Sequence, residues 1–355
     1  MPEVYFHPMP RASYEAVEAA VGAALDFAGL DGGELGERCL LKINAMSQEV
    51  LPGRNTGPWV VRAVLSQLTR RHPQVRFTLA DSDVAGYPQF ARACRHWGYA
   101  EMAAQFKVPL VNLAQEPYRE VTTDNPACPK LAFPRAVFAS DSIINLPVLK
   151  THVLSGLSCC LKNHWGLLPR LRYQYHRQVH QVIAEINRQV KRTVFNLVDA
   201  TVAMEGSGPK TGRPRACGLI LAGRDRTAVD AAALDYMGLP RELAPHVALS
   251  QEAGVGSTDY TPAGARVEPA GFAPPALGQD LVSLLERRLR AIPGLGRQLY
   301  RPEIAPLLGW VGTKYNEQVW FRRTGRGYLE EILQGSPWGA QFAALPGCPA
   351  REPGP

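Results

Sequence analysis

The feature that most constrains the fold is a regular alternation of amphipathic and apolar segments over the first two thirds of the chain. Apolar residues recur at helical spacing over 13–28 and 58–71, and a short apolar run follows each of these segments, near residues 40 and 77. Such an order of helices and strands indicates parallel strands joined by crossover helices. The sequence therefore predicts an α/β fold with a mainly parallel sheet flanked by helices.

The individual elements follow from the same patterns. Pro58 suits the first turn of a helix, and Asp225 or Thr227 is placed to cap a later one. The predicted strands cover 37–45, 75–80, 109–113, 136–148, 194–198 and 217–222, and the predicted helices cover 13–28, 58–71, 88–97, 177–192, 227–237 and at least the start of 154–168.

The composition changes after about residue 243. Residues 244–282 are rich in alanine, glycine and proline, 281–292 are amphipathic and basic, and 299–343 are dense in aromatic residues. We predict a core domain over 1–243 and an aromatic-rich C-terminal extension over 244–355 that packs on the core. The final residues are expected to be disordered.

Composition and charge narrow the functional class. Hydrophobic residues make up 46% of the chain and charged residues 20%, as in packed globular proteins. Neither an apolar run of about 18 residues nor a signal peptide is visible, so we expect no membrane partner and a cytoplasmic location. The net charge is +7, but the basic residues are spread out, which argues against nucleic acid and leaves an anionic small molecule.

The seven cysteines are odd in number and lack C-x-x-C spacing. This pattern predicts neither a disulfide framework nor a resident iron–sulfur cluster. The adjacent pair Cys159 and Cys160 is interpreted as two buried apolar side chains.

Polar residues stand where four predicted strands end, and ligands of open α/β sheets bind outside the carboxyl ends of strands. If the strands are parallel, these residues share one edge. Lysines suit a phosphate or carboxylate, and a histidine titrates near neutral pH. The predicted catalytic residues are His152, Asp199 and Glu205; the predicted substrate-binding residues are Lys42, Asn44, Asp81, Asn145, Lys150, Lys162, Asn163, Gly206 and Gly208.

Three weaker signals leave alternatives open. His176 and His180 lie one helical turn apart, which allows a divalent metal but is more typical of a solvated face. Asp81 and Asp83 could hold a metal or shape a turn. The glycine-rich stretch 205–212 could turn backbone N–H groups toward an anion, although it lacks the order of a phosphate-binding loop.

Together these motifs resemble the family called "domain of unknown function 362", over about residues 40–238. The resemblance rests on the order of Lys42-Ile43-Asn44, Thr56-Gly57-Pro58, Asp81-Ser82, the Asn145-to-His152 segment, Lys162-Asn163-His164-Trp165-Gly166, and Glu205-Gly206-Ser207-Gly208-Pro209. It implies a prokaryotic α/β domain, in some relatives fused to a ferredoxin-like module that this chain lacks. The chain departs from the family at Ile43, where relatives usually have proline, and at Cys159-Cys160, where they tend to have small or hydroxyl residues.

Three functions are compatible with these patterns. The first is an enzyme acting on a small anionic molecule by acid–base chemistry, with His152 as acid or base and Asp199 or Glu205 as its complement or a metal ligand. The second is a redox or iron–sulfur accessory protein that works with a separate ferredoxin. The third is a nonenzymatic anion-binding protein. The sequence leaves the reaction, substrate, metal requirement and oligomeric state open.

Overall fold

A computed structural model describes residues 1–84, 88–276 and 304–349, with the single positions 288 and 292. Most of the predicted amphipathic segment 281–292, and the final residues 350–355, lie outside the described residues. Within the described ranges, no helix is both long and apolar enough to cross a bilayer.

A twisted mixed sheet of ten strands organises the described chain, and a two-stranded hairpin stands apart from it. The strands are β1 (Glu3–Pro8), β2 (Arg38–Ile43), β3 (Arg76–Asp81), β4 (Leu110–Asn112), β5 (Tyr118–Thr122), β6 (Lys130–Pro134), β7 (Ser142–Leu146), β8 (Val148–His152), β9 (Gly156–Ser158), β10 (Thr193–Glu205), β11 (Arg213–Gly223) and β12 (Thr261–Gly264). The main path runs β12-β1-β11-β10-β7-β2-β3-β4, and β8 joins it beside β10.

Helices cover both faces of this sheet. They are α1 (Tyr14–Ala28), α2 (Gly32–Leu35), α3 (Pro58–Arg71), α4 (Phe90–His96), α5 (Tyr99–Gln105), α6 (Arg135–Ala139), α7 (Cys160–Asn163), α8 (Val179–Gln189), α9 (Arg226–Met237), α10 (Pro245–Glu252), α11 (Ala305–Tyr315), α12 (Arg326–Gly335) and α13 (Gly339–Ala343). Asp225 caps α9 by accepting hydrogen bonds from the N–H groups of Thr227 and Ala228.

The centre of the sheet is parallel, which confirms the predicted fold class. Strands β4, β3, β2, β7 and β10 run in the same direction. All of β7, and all of β2 except its first residue, is buried, as expected for strands covered on both faces. Within the ten-stranded sheet, the antiparallel pairs are β1–β11, β10–β11 and β8–β9.

Two predicted elements were wrong. Segment 136–148 is not one strand, because α6 and β7 fill most of it and β8 begins only at Val148. Pro147 lacks the N–H that a continuous ladder requires. The start of 154–168 is not helical either, since β9 folds back on β8 with Gly156 at a φ of 72°.

Strand β10 is far longer than the predicted 194–198 and continues past a bulge near Thr201. Its parallel pairing places Asp199 opposite Val148, at the start of β8. Asp199 therefore lies in the middle of a strand rather than at the end of one.

The C-terminal helices contribute to the same hydrophobic core as α1 and α3. Phe321, Trp338 and Phe342 are buried in it, and the Trp59 ring stacks on the Trp338 ring at 5.4 Å. This is the aromatic cluster expected near the C-terminus. The division into two domains at residue 243 stays a prediction.

Arg54 fastens the loop between β2 and α3 to the C-terminal region. Its side chain is fully buried and pairs with Glu49 at 2.9 Å. It also donates to the Asn316 side chain at 3.1 Å and to the Lys210 carbonyl, and the Trp320 ring stacks near it. The guanidinium thereby links the loop, β10–β11 and the C-terminal helices.

We expect Arg54→Met to lower the free energy of unfolding by about 3–5 kcal/mol, because it strands the mostly buried Glu49 carboxylate. Urea denaturation followed by tryptophan fluorescence measures the change. The control is Arg76→Met, since Arg76 and its partner Glu37 are 74% and 81% exposed and their loss should barely register. Equal losses in the two variants would contradict the assigned role of Arg54.

Candidate anion-binding site

A buried ion pair joins the ends of β2 and β3. These strands are parallel neighbours with Lys42 opposite Ala80, so the Lys42 ammonium reaches the next residue, Asp81. Lys42 Nζ lies 2.7 Å from Asp81 Oδ1, and the side chains are 0% and 5% exposed. Burial lowers the pKa of Lys42, and the Asp81 carboxylate opposes that shift. Each charge therefore neutralises the other inside the protein.

Amide side chains extend the network across the sheet to α7. Asn163 Nδ2 donates to Asn145 Oδ1 at 2.8 Å and to the Lys42 carbonyl at 3.2 Å. Asn163 Oδ1 accepts from Asn44 Nδ2 at 3.2 Å, and Asn145 Nδ2 donates to the Cys160 carbonyl at 3.0 Å. These bonds fix the short helix α7 over the ends of β2 and β7.

Gly166 lets the chain pass directly over the ion pair. A Cβ atom at this position would lie 2.7 Å from Asp81 Oδ1 and 2.9 Å from Lys42 Nζ. No side chain fits there without separating the two charges. This contact explains the glycine three residues after Asn163.

Lys150, on β8, is buried beside this network and has a different set of partners. Its ammonium donates to Asn44 Oδ1 and to the Arg54 carbonyl, both at 2.7 Å, and contacts Met46 Sδ at 3.3 Å. Burial lowers the pKa of Lys150 to about 7; Asp81 opposes this shift and Arg54 and Lys42 add to it. Among the described residues, no carboxylate forms a salt bridge with Lys150.

Lys162, on α7, is a second buried lysine without a described salt bridge. Its Nζ lies 3.8 Å from the centre of the Trp165 ring, whose edge contacts His176 at 5.1 Å between ring centres. Burial, Arg172 and Lys150 hold the pKa of Lys162 well below its ordinary value. Arg172 is itself buried and donates to the Asp83 carbonyl at 2.6 Å.

His152 ends β8 with its Nδ1 facing the turn that follows. That nitrogen accepts from the N–H groups of Leu154 and Ser155 at 3.1 and 3.3 Å. Burial first, and then Lys162 and other nearby positive groups, keep the pKa of His152 far below its usual range. The neutral ring therefore carries its hydrogen on Nε2, which makes that atom a hydrogen-bond donor rather than a base.

The structure thus joins most of the predicted site residues in one network. Lys150 and Lys162 form no salt bridge among the described residues, whereas Asp81 is paired with Lys42. The predicted residues that lie in or beside the network are Lys42, Asn44, Asp81, Asn145, Lys150, His152, Lys162 and Asn163. Their predicted roles in substrate binding and catalysis stay predictions.

Asp199 lies outside this network and has structural partners. Its Oδ2 accepts from the Gly57 N–H at 2.5 Å, and its Oδ1 accepts from Thr201 N–H and Oγ1 at 2.9 and 2.7 Å. The carboxylate thereby holds the start of α3. The signal was misleading because the strand continues beyond Asp199, and we leave this residue out of the site.

Glu205 and the glycines that follow it also have other partners. Glu205 pairs with Arg215 at 2.9 Å and accepts from the Ala273 N–H. The N–H groups of Gly206 and Gly208 donate to the carbonyls of Ala273 and Gly206. Neither N–H group is available to an anion, so these three residues are also left out.

The predicted histidine pair is divided between two contacts. The His176 ring packs against Trp165, whereas His180 Nδ1 lies 3.3 Å from His246 Nδ1 on α10. His246, Arg54, Arg172 and Trp165 were not predicted as site residues. Nothing local marks His246, which lies beside His180 only because α10 packs on α8.

Cys159, Cys160 and Asp230 form the one group of three metal-type ligands within 4.8 Å in the described chain. Asp230 accepts from the N–H groups of Cys160 and Leu161 at 2.7 and 3.0 Å. Burial raises the pKa of the Cys160 thiol to about 12 and holds the pKa of the Cys159 thiol well above its ordinary value. Since metals bind thiolates, this group suits a helix cap better than a metal.

We expect Gly166→Ala to lower the free energy of unfolding by about 1–3 kcal/mol, because the added methyl group overpacks the Lys42–Asp81 pair. Gly327→Ala is the control, since a Cβ there meets nothing within 4 Å and alanine favours α12. Urea denaturation should therefore move the two midpoints in opposite directions. A neutral result for Gly166→Ala would mean that the pair tolerates separation.

Lys150 should make stability rise with pH. Its pKa is about 7 in the folded chain against an ordinary pKa of 10.5, so below pH 7 the folded and unfolded states both hold the proton and the cost of burying the charge is complete. Between pH 7 and 10.5 the unfolded chain binds more protons, and the free energy of unfolding must increase with pH. In urea titrations, we expect the free energy of unfolding of wild type to rise relative to that of Lys150→Met between pH 7 and 9. A constant difference would show that the pKa of Lys150 is not lowered.

The chain is 28% identical over 232 residues to the thylakoid-associated protein sll1697 of Synechocystis sp., covering 63% of this chain and 70% of that protein. The lactate racemase apoprotein of Thermoanaerobacterium thermosaccharolyticum aligns at 13% identity and a TM-score of 0.38, over 63% of this chain and 54% of that one. A Thermotoga maritima protein aligns at 14% identity and a TM-score of 0.36, over 64% of this chain and 59% of that protein. At these TM-scores neither structural likeness bears on activity.

The family comparison is more direct. Residues 39–235 match the family model described as "Domain of unknown function (DUF362)". This range is more than half of the 355 residues and includes Lys42, Asp81, Lys150 and Lys162. The chain therefore belongs to the DUF362 family.

Proposed function

We propose that this protein is an enzyme that binds a small phosphorylated or carboxylated molecule at the carboxyl edge of the sheet and moves protons on it. The observation that carries the proposal is the contrast between the buried lysines. Lys42 has a carboxylate at 2.7 Å, whereas Lys150 and Lys162 have none within salt-bridge distance among the described residues.

The energetics of burial favour an anionic ligand. A buried ammonium is costly unless a counter-charge accompanies it. That cost appears in the lowered pKa values of Lys150 and Lys162, of which burial is the largest cause. A bound phosphate or carboxylate supplies the missing charge, raises both pKa values and accepts hydrogen bonds from the ammonium groups. The Nε2–H of His152 is a further donor for the same anion.

Proton transfer near neutral pH requires a group whose pKa is close to the ambient pH. Lys150 meets this condition at about 7. Asp81 is held by Lys42, and the tautomer of His152 makes it a donor. We therefore assign binding to Lys162 and His152, and proton exchange to Lys150 as the first candidate.

The other two functions are judged against the same geometry. A nonenzymatic anion-binding protein would use the same site and differ only in having no turnover. The redox accessory function has less support, because Cys159 and Cys160 are buried thiols beside Asp230. The cytoplasmic location and the participation of a redox partner stay predictions.

Thermal unfolding in the presence of inorganic phosphate, oxalate or adenosine diphosphate tests the site. A ligand at a hundredfold excess over its Kd stabilises the folded chain by about 2.7 kcal/mol, so at least one anion should raise the Tm of wild type. Lys150→Met and Lys162→Met should each lower the affinity for that anion by about 10–100-fold, since each removes a charged donor.

Lys191→Met is the matched control, because Lys191 is an exposed lysine away from the site. It should respond to the anions like wild type. If the whole panel leaves the Tm of wild type unchanged, or if the two site variants respond like Lys191→Met, the anion site does not exist.

A further inference from the structure

A pair of histidines connects α8 with α10 beside the proposed site. His180 Nδ1 and His246 Nδ1 are 3.3 Å apart, while the ring centres are 5.5 Å apart and the planes differ by 17°. The nitrogens are much closer than the centres, so the two Nδ1 edges face each other. Such a pair forms one N–H···N hydrogen bond, in which one ring donates and the other accepts.

The far nitrogen of His246 is left without a partner. His246 is 0% exposed, and its Nε2 is buried with no hydrogen bond among the described residues. A buried polar atom of this kind normally has a partner, and an exception calls for a ligand or another explanation. His180, by contrast, is partly exposed to solvent.

The backbone brings His246 next to the site. His152 pairs with Gly156 across the β8–β9 hairpin. Gly156 packs so tightly on the backbone of residues 243 and 244 that a Cβ would lie 1.8 Å from the Leu243 carbonyl oxygen and 3.1 Å from the Ala244 nitrogen. His246 follows Ala244 by two residues, which places the start of α10 against the turn that holds His152.

We propose that His246 contacts the bound anion through Nε2, and that His180 relays protons between solvent and His246. The inference rests on the proposed function, since it takes the same anion as its ligand. It adds a catalytic residue, His246, which lies outside the family-matched range. It also adds a positioning and relay residue, His180, which lies on α8.

The proton balance of the relay is simple. At the start His180 carries its hydrogen on Nδ1 and His246 carries its hydrogen on Nε2. A proton from water binds His180 Nε2, the Nδ1 hydrogen crosses to His246 Nδ1, and the Nε2 hydrogen of His246 moves to the ligand. Both rings end neutral with exchanged tautomers, and passage of a proton in the opposite direction restores them. The relay therefore suits a reaction that both gives a proton to its substrate and takes one from it.

The surrounding charges keep the relay neutral at rest. The titratable groups beside His246 are His180 on α8, Lys162 on α7 and His152 on β8. Burial first, and then His180 and Lys162, hold the pKa of His246 well below its usual range. Burial and Lys162 also lower the pKa of His180. Neither ring has to lose a resident charge before it passes a proton.

Nitrogen NMR of protein labelled with ¹⁵N-histidine tests the pair directly, without any assay of activity. At pH 7.5, a condition near neutrality, the His180 and His246 rings should both be neutral and should show opposite tautomers, one with hydrogen on Nδ1 and one with hydrogen on Nε2. Adding the anion that best stabilises wild type, with inorganic phosphate as the first probe, should shift the His246 Nε2 resonance. Identical tautomers, or a charged ring, would overturn the relay.

Binding of the same probe tests the contact. His246→Gln should lower the affinity for phosphate about tenfold, which is the effect of losing one hydrogen bond. His180→Gln should leave the affinity within about threefold of wild type but change the tautomer signals of His246. His72→Gln, a partly exposed histidine after α3, should alter neither property.

These outcomes separate the two proposals. If no anion binds wild type, the proposed function is wrong. If Lys162→Met lowers the affinity for phosphate but His246→Gln does not, the anion site is supported and the proposed role of His246 is wrong. If His246→Gln is unfolded by circular dichroism, the phosphate-induced shift of His246 Nε2 in wild type decides the question instead.

Discussion

The Lys42–Asp81 pair is the interaction on which the rest of the site depends. It lies where β2 and β3 end, and because both side chains are buried, neither charge can remain without the other. Gly166 packs directly on it, and Asn163 ties α7 to the same lysine. The pair therefore positions the segment that carries Lys162 over the sheet edge.

Lys150 depends on a different support. Its ammonium is held by the carbonyl of Arg54 and by Asn44, so its position follows the loop between β2 and α3. Neutral dipoles can hold an ammonium in place without cancelling its charge. Under the proposed function, this difference separates Lys42, which stabilises the fold, from Lys150, which binds the anion.

The sequence allowed the parallel sheet and most of the site to be predicted, because helical spacing and apolar runs are local signals. Lys42 and Asp81 stand at or next to the ends of strands that such signals locate, whereas Lys150 lies in the middle of β8, beyond the predicted strand 136–148. Asp199 was misplaced because the length of β10 depends on its pairing with β11, which no local pattern reveals. His246 was missed because its place depends on the packing of α10 against α8 and β9.

Arg54 connects the position of Lys150 to the C-terminal region of the chain. Its carbonyl holds Lys150 while its guanidinium is gripped by Glu49, Asn316 and the Trp320 ring. Asn316 and Trp320 lie beyond residue 235, where the family match ends. Proteins that share the family-matched segment but carry a different C-terminal region would hold the lysine equivalent to Lys150 in a different position. Ligand preference within the family could thus diverge through residues that never touch the ligand.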